Sequence, residues 1–220
     1  MLYRVEDKYV VNEAQIAYLK ERLKDFVSMD PHMKGDSYLI RSIYFDNMYE
    51  GCKDLVEADD IVVEKIYSSA FYGMFKGCIS LKKAPNITVS YTDYTETSYA
   101  YSEMFQGCTS LETPPETLKL LGVQSNASHM FDGCTKLTES PHIKLNAPGT
   151  YKAVLVSMFA GCTSLNKITL EVLTGSSYGF DSNFSDWVNG VSSTGDFYYN
   201  GSATTRGTSA IPTGWTIHAI

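Results

Sequence analysis

The sequence lacks any apolar run near the roughly 18 residues that a membrane-spanning helix needs. Its opening, Met1 to Lys8, is too charged to be the hydrophobic region of a signal peptide. The expectation from both absences is a chain with no membrane span, cytoplasmic as written. An excess of positive charge is missing too: 18 Lys and Arg stand against 25 Asp and Glu, for a net charge of −7. That balance disfavours nucleic acid and anionic lipid as partners, because both need a broad cationic surface. There is no Cys-x-x-Cys pair, and His32, His129, His142 and His218 share no ligand spacing with the cysteines, so no metal site is expected. Gly-rich phosphate loops, Gly-x-Ser-x-Gly elbows and His-Glu-x-x-His strings are also absent. No catalytic residue and no cofactor is therefore expected. Apolar residues make up 44% of the chain, enough for a packed core.

What the chain does have is an internal repeat. The string Met-Phe-x-Gly-Cys-x-x-Leu begins at Met74, Met104, Met130 and Met158, and a weaker copy runs from Met48 to Leu55. Successive Met-to-Met steps are 26, 30, 26 and 28 residues. A stretch from Asn183 to Gly190 reads as a degenerate last copy. Periods of this size belong to solenoids, in which each unit buries its apolar side only by stacking on its neighbours. Within a unit, Met, Cys and Leu fall close to one stripe of a short helix or helical turn. The glycine before each cysteine suits either close approach of adjacent coils or a local bend. Segments such as Pro85 to Val89 and Pro141 to Leu145 alternate in the manner of strands. The expected fold is an α/β repeat solenoid, with one helical turn and one short strand per unit of 26–30 residues.

These motifs resemble the BspA-like branch of the leucine-rich repeats, whose units carry a Phe-x-x-Cys-x-x-Leu core, over roughly residues 48–220. The closing stretches Trp187 to Val191 and Ile211 to Ile217 are similar to the ends of such chains. The resemblance implies a right-handed solenoid that binds a protein or glycan partner, with adhesion and association with bacterial or viral surfaces as expectations. It implies no chemistry.

Every cysteine, Cys52, Cys78, Cys108, Cys134 and Cys162, occupies the same phase of the repeat. The reading is a set of free thiols acting as small buried hydrophobes along the core. On that reading Cys108→Ser costs on the order of 1 to 3 kcal/mol, because its hydroxyl would be buried without a partner.

Upstream of Met48 the composition changes, with seven Lys or Arg against eight Asp or Glu and no glycine before Gly35. Residues 1–47 read as strand, helix and strand: Leu2 to Val11 alternates, Asn12 begins a helical pattern of Ile16, Leu19, Leu23 and Phe26, and Tyr38 to Asp46 forms the second strand. The strings Arg4-Val5-Glu6-Asp7-Lys8-Tyr9 and Arg41-Ser42-Ile43-Tyr44-Phe45-Asp46 resemble the opening of VTC-type polyphosphate polymerases. In that family charged residues line a β-barrel tunnel and hold phosphate, which by resemblance points to Glu6, Lys8 and Arg41. The later charged strands of the family do not follow Asn47, where the repeat begins instead. The segment is therefore read as a small α/β N-terminal cap, required because a first coil would expose its apolar side. The chain then divides into 1–47 as cap, 48–183 as five repeats and 184–220 as a closing segment with two or three short strands.

The longest repeat contains Ser90 to Tyr101, rich in Tyr, Thr and Asp, a composition that binding loops favour. In extended structure Tyr99 and Tyr101 would share a face. Tyr94, Tyr99 and Tyr101 are thus the expected exposed anchors for a partner. The functional expectation is a non-enzymatic recognition protein. A phosphate- or polyphosphate-binding remnant and a structural part of a surface or viral assembly are the alternatives.

Overall fold

In the computed structural model the chain divides into two units, Met1–Ile43 and Tyr44–Ile220. The residues described are 46–63, 66, 68–89, 99–120, 126–145, 154–173 and 180–220, all in the second unit. Glu6, Lys8, Arg41 and the strand-helix-strand reading of residues 1–47 lie outside them.

The second unit is a parallel β-solenoid. Its strands are β1 (Ile61–Val63), β2 (Ile87–Val89), β3 (Thr117–Leu120), β4 (Glu139–Leu145), β5 (Lys167–Val172), β6 (Asp196–Tyr199) and β7 (Thr216–Ala219). They form two parallel sheets, β1-β2 and β3-β4-β5-β6-β7, each strand pairing with the one a coil further along. The strands read at Pro85 to Val89 and Pro141 to Leu145 are present as β2 and β4, and β6 and β7 close the chain. Inward positions such as Leu118, Ile143, Leu170 and Phe197 are buried. Pro141 cannot donate to a ladder, and the register shifts beside it between Glu139 and His142. The Ser140 hydroxyl covers the irregularity by accepting from Thr169 N at 3.0 Å.

The other side of each coil corrects the helical expectation. Among the described residues the single helical element is the 3-10 turn Ser182–Phe184. The Met-Phe-x-Gly-Cys segments are chains of β-turns that share their hydrogen bonds between two directions. Cys108 N donates back to Phe105 O at 3.1 Å, whereas Phe105 N and Gly107 N donate forward, to Met130 O and Asp132 O of the next coil, each at 2.8 Å. An α-helix would spend all of these N–H groups on its own carbonyls. The glycines decide against it: Gly77, Gly107, Gly133 and Gly161 have φ of 72°, 73°, 75° and 69°, left-handed values that glycine adopts freely. Close approach is not the cause, since a Cβ on Gly133 would lie 3.8 Å from Gly107 Cα, an ordinary contact. The degenerate last copy also shifts register. Phe159 N bonds Trp187 O and Gly161 N bonds Asn189 O, so the repeat phase is carried by Trp187-Val188-Asn189-Gly190.

Stacking of identical phases builds the core. Tyr49, Phe75, Phe105, Phe131 and Phe159 form a ladder with ring centroids 5.3–5.4 Å apart, and Trp187 ends it. Met104, Met130, Met158 and the repeat leucines Leu81, Leu111, Leu137 and Leu165 are fully enclosed.

The cysteines are free and four are buried, but Cys52 is exposed, because among the described residues no coil stacks on its far side. Nor are the buried thiols partnerless. The Sγ atoms of Cys78, Cys108, Cys134 and Cys162 donate to the carbonyls of Tyr49, Phe75, Phe105 and Phe131 in the preceding coil at 3.0–3.1 Å. A serine at 108 would keep a donor for the Phe75 carbonyl, so the unpartnered hydroxyl expected from the sequence does not arise. Burial pushes the thiols of Cys108 and Cys162 up to about 12. Since the thiolate is the reactive form, a thiol-directed dye is expected to label one cysteine, Cys52, in the native protein and all five after denaturation. Native labelling of several thiols, followed by mass spectrometry, would contradict the stacked core.

Candidate functional site

Strand alternation sends every second side chain of the five-stranded sheet outward, and the parallel register lines these up across the coils. One row reads Thr117, His142, Thr169, Tyr198 and His218. At about 4.8 Å per strand it spans roughly 19 Å. A flanking row on one side pairs Lys144 with Glu171, and on the other Lys167 pairs with Asp196, which in turn faces Thr216.

The groups on this face interact in a few specific places. Tyr198 and His218 stack with ring centroids 4.7 Å apart. His218 Nε2 and Asp196 Oδ1 are 2.6 Å apart. Glu171 Oε2 lies 3.1 Å from Lys144 Nζ and 2.8 Å from His142 Nε2. The Lys144 ammonium, foremost, holds the Glu171 carboxyl below the usual carboxylate range. Lys167 donates to Glu139 at 3.0 Å. The face therefore carries an aromatic pair and balanced, partly preorganised charges at its centre, with hydroxyls between them. Such a surface offers hydrogen bonds in both senses and a few amphipathic rings, which are the elements that recognition surfaces use.

A second polar cluster sits on the turn side. Tyr72 Oη donates to Glu103 Oε1 at 2.7 Å and Lys76 Nζ to Glu103 Oε2 at 2.6 Å. Partial burial acts to raise the Glu103 carboxyl, but the hydrogen bonds from Lys76 and Tyr72 reverse this and lower it, while the Tyr72 phenol is pushed up to about 12 chiefly by its bond to Glu103. Gln106 reaches Asp132 in the following coil at 3.0 Å, while His129 meets Asp132 within the same coil at 2.9 Å. The contacts of Tyr72, Lys76 and Gln106 tie coils to one another. Among the described residues no group of three His, Cys, Asp or Glu side chains is arranged to hold a metal ion.

The tyrosines singled out from the sequence separate. Tyr99 is 57% exposed, whereas Tyr101 is 4% exposed and stacks on Phe71 at 5.7 Å. Tyr101 is thus a packing residue and not an exposed anchor. The expectation of a shared face fails because Tyr99 has φ of 58°, which takes the chain into the turn ladder and out of extended structure. Tyr94 lies outside the described residues. The outward row of the sheet was not found from the sequence, because aligning the coils by their Met-Phe-x-Gly-Cys strings does not bring it into line: Thr117, His142 and Thr169 follow their motif methionines at different distances.

The comparisons bear on the start of the chain. A VTC domain model matches residues 3–52. This agrees with the resemblance read from residues 1–47 and extends into the first coil, where Tyr49 already stacks on Phe75. The match covers under a quarter of the chain, and the four full repeat strings from Met74 onward fall outside it. Neither a curated protein nor a solved structure gives a significant match. The described residues hold no helix long and apolar enough to cross a membrane.

Proposed function

We propose that this chain is a non-enzymatic recognition protein that binds a protein or glycan partner on the outward face of the β3–β7 sheet. The observation that carries the reading is the in-register row Thr117, His142, Thr169, Tyr198 and His218, where stacking alone places polar and aromatic groups from successive coils side by side. Solenoids present extended surfaces of this kind to their partners. The likeness of the repeat string to BspA-like leucine-rich repeats supports the same reading, and with it a role in adhesion at a bacterial or viral surface. The test is a screen of the full chain on peptide and glycan arrays, followed by affinity measurements with Tyr198→Ala and His142→Ala. Each substitution is expected to weaken a partner found this way by about 1 to 2 kcal/mol, the level of a binding hot spot. A partner whose affinity survives both changes would move the site elsewhere.

The VTC domain match over residues 3–52 supports a second reading, binding of phosphate or polyphosphate through Glu6, Lys8 and Arg41. Polyphosphate binding that disappears in a Lys8→Ala and Arg41→Ala double variant would favour it over the first.

A further inference from the structure

Among the described residues the solenoid sheet is interrupted once, between β2 and β3. Among the described residues no backbone hydrogen bond joins Ile87–Val89 to Thr117–Leu120, although the strands lie on consecutive coils. The opening is local. Just before it the coils are joined by the Lys83–Thr113 bridge and by Ala84 N donating to Thr113 O at 2.9 Å. On the turn side, Phe75 N still bonds Met104 O at 2.8 Å.

Two features of the sequence account for the break. Pro114 and Pro115 lead into β3 and supply no N–H to a ladder. The coil is also longer here: the inward side chain comes four residues after the bridge position in β1 and β2, from Glu57 to Ile61 and from Lys83 to Ile87, but five after it in β3, from Thr113 to Leu118. A slip of one residue turns each side chain to the opposite face, so direct pairing in step with the bridge would set inward against outward positions. Asn86 ties the base of the opening instead. Its Oδ1 accepts Glu116 N at 2.9 Å, while its own N and Nδ2 donate to Asp60 at 2.8 and 3.3 Å.

The result is a cavity of about 550 Å³ whose lining includes Asp60, Ile87, Val89, Glu116, Leu118 and Lys119. We propose that this opening is a binding slot for an extended polypeptide segment, which enters between β2 and β3 as an added parallel strand. It borders the sheet face described above at Thr117 but does not depend on that reading. Both walls are strand edges whose N–H and C=O groups facing the opening have no ladder partner among the described residues and repeat at the spacing of an extended chain, and a peptide strand matches that pattern on both sides at once. The charges set its direction. Glu116 lies at the N-terminal end of β3, Asp60 lines the same end of the opening from just before β1, and Lys119 lies further along β3, so a parallel segment fits best with a basic residue first and an acidic one near its end. The chain's own strand Lys167 to Val172 has that order of charge and the right alternation.

The test uses the full chain and a capped fluorescent peptide with the sequence of Lys167 to Val172, followed by fluorescence anisotropy. Saturable binding is expected, with at least about a tenfold loss when proline replaces the peptide's threonine, since that removes a ladder N–H. Glu116→Lys and Lys119→Glu, both at exposed positions, are each expected to weaken the peptide by up to about fivefold, the range of an exposed ion pair. A peptide with its lysine and glutamate exchanged should prefer the double variant. The proposal is overturned if the peptide fails to bind saturably, if the proline peptide binds equally well, or if charge reversal at both positions leaves its affinity unchanged while circular dichroism shows the fold intact.

Discussion

Replacing Phe131 by alanine is expected to destabilise the solenoid by about 3 to 5 kcal/mol, the cost of deleting a fully enclosed aromatic ring. The ring has no exposed surface and lies between Phe105 and Phe159, with both centroid distances at 5.4 Å and interplanar angles of 12° and 8°. Neither neighbour can collapse into the space without leaving its own partner, so a cavity remains. In a repeat protein each coil is held only by the coils beside it, so the loss falls on both interfaces of the central coil. Trp187 and Trp215, the only tryptophans, are both buried in the last coils. Urea unfolding followed by tryptophan fluorescence and by circular dichroism should therefore give separated transitions in the variant. Phe131→Leu, which fills much of the volume, should cost markedly less. A loss under about 1 kcal/mol for the alanine variant would mean that the aromatic ladder does not support the coils.

The second large effect concerns Gly133. Its φ of 75° lies where an L side chain is strained, so Gly133→Ala is expected to cost about 1 to 2 kcal/mol. Gly133→Val should cost more, because a β-branched side chain tolerates left-handed backbone least. Gly133→Asn should be milder than alanine, since asparagine enters this region more readily; the fold itself places Asn47 there at φ of 51°. The order valine, alanine, asparagine in thermal or urea unfolding is the discriminating result. A helical turn at this position would reverse it, making alanine stabilising because alanine is the better helix former.

The repeat made a good part of the fold legible. Its recurring Met, Phe, Cys and Leu are the phases that face the core, and they are buried as a one-dimensional stack requires. The strands at Ile87–Val89 and Glu139–Leu145 were visible because β-branched and apolar residues alternate there with polar ones. The free state of the cysteines followed from their shared phase, although the thiol hydrogen bonds to the preceding coil did not.

Other features depended on partners distant in sequence. Apolar residues at the first, second, fifth and eighth positions of a short segment suit a helical turn and a run of β-turns equally well. The choice was made by glycines held at positive φ and by N–H groups that bond the next coil. Tyr101 turned inward because its neighbour Tyr99 adopts left-handed backbone, and no alternation rule covers such a residue. The outward row from Thr117 to His218 needed the register of four strand pairs, which the unequal lengths of the coils conceal. The sequence by itself determined that the chain is a stack of repeated coils, and the phase of those that carry the full motif, because burial repeats with the motif. Tertiary structure alone decided what each motif folds into and which side chains meet on the surface, because both are set by hydrogen bonds between coils and not within them.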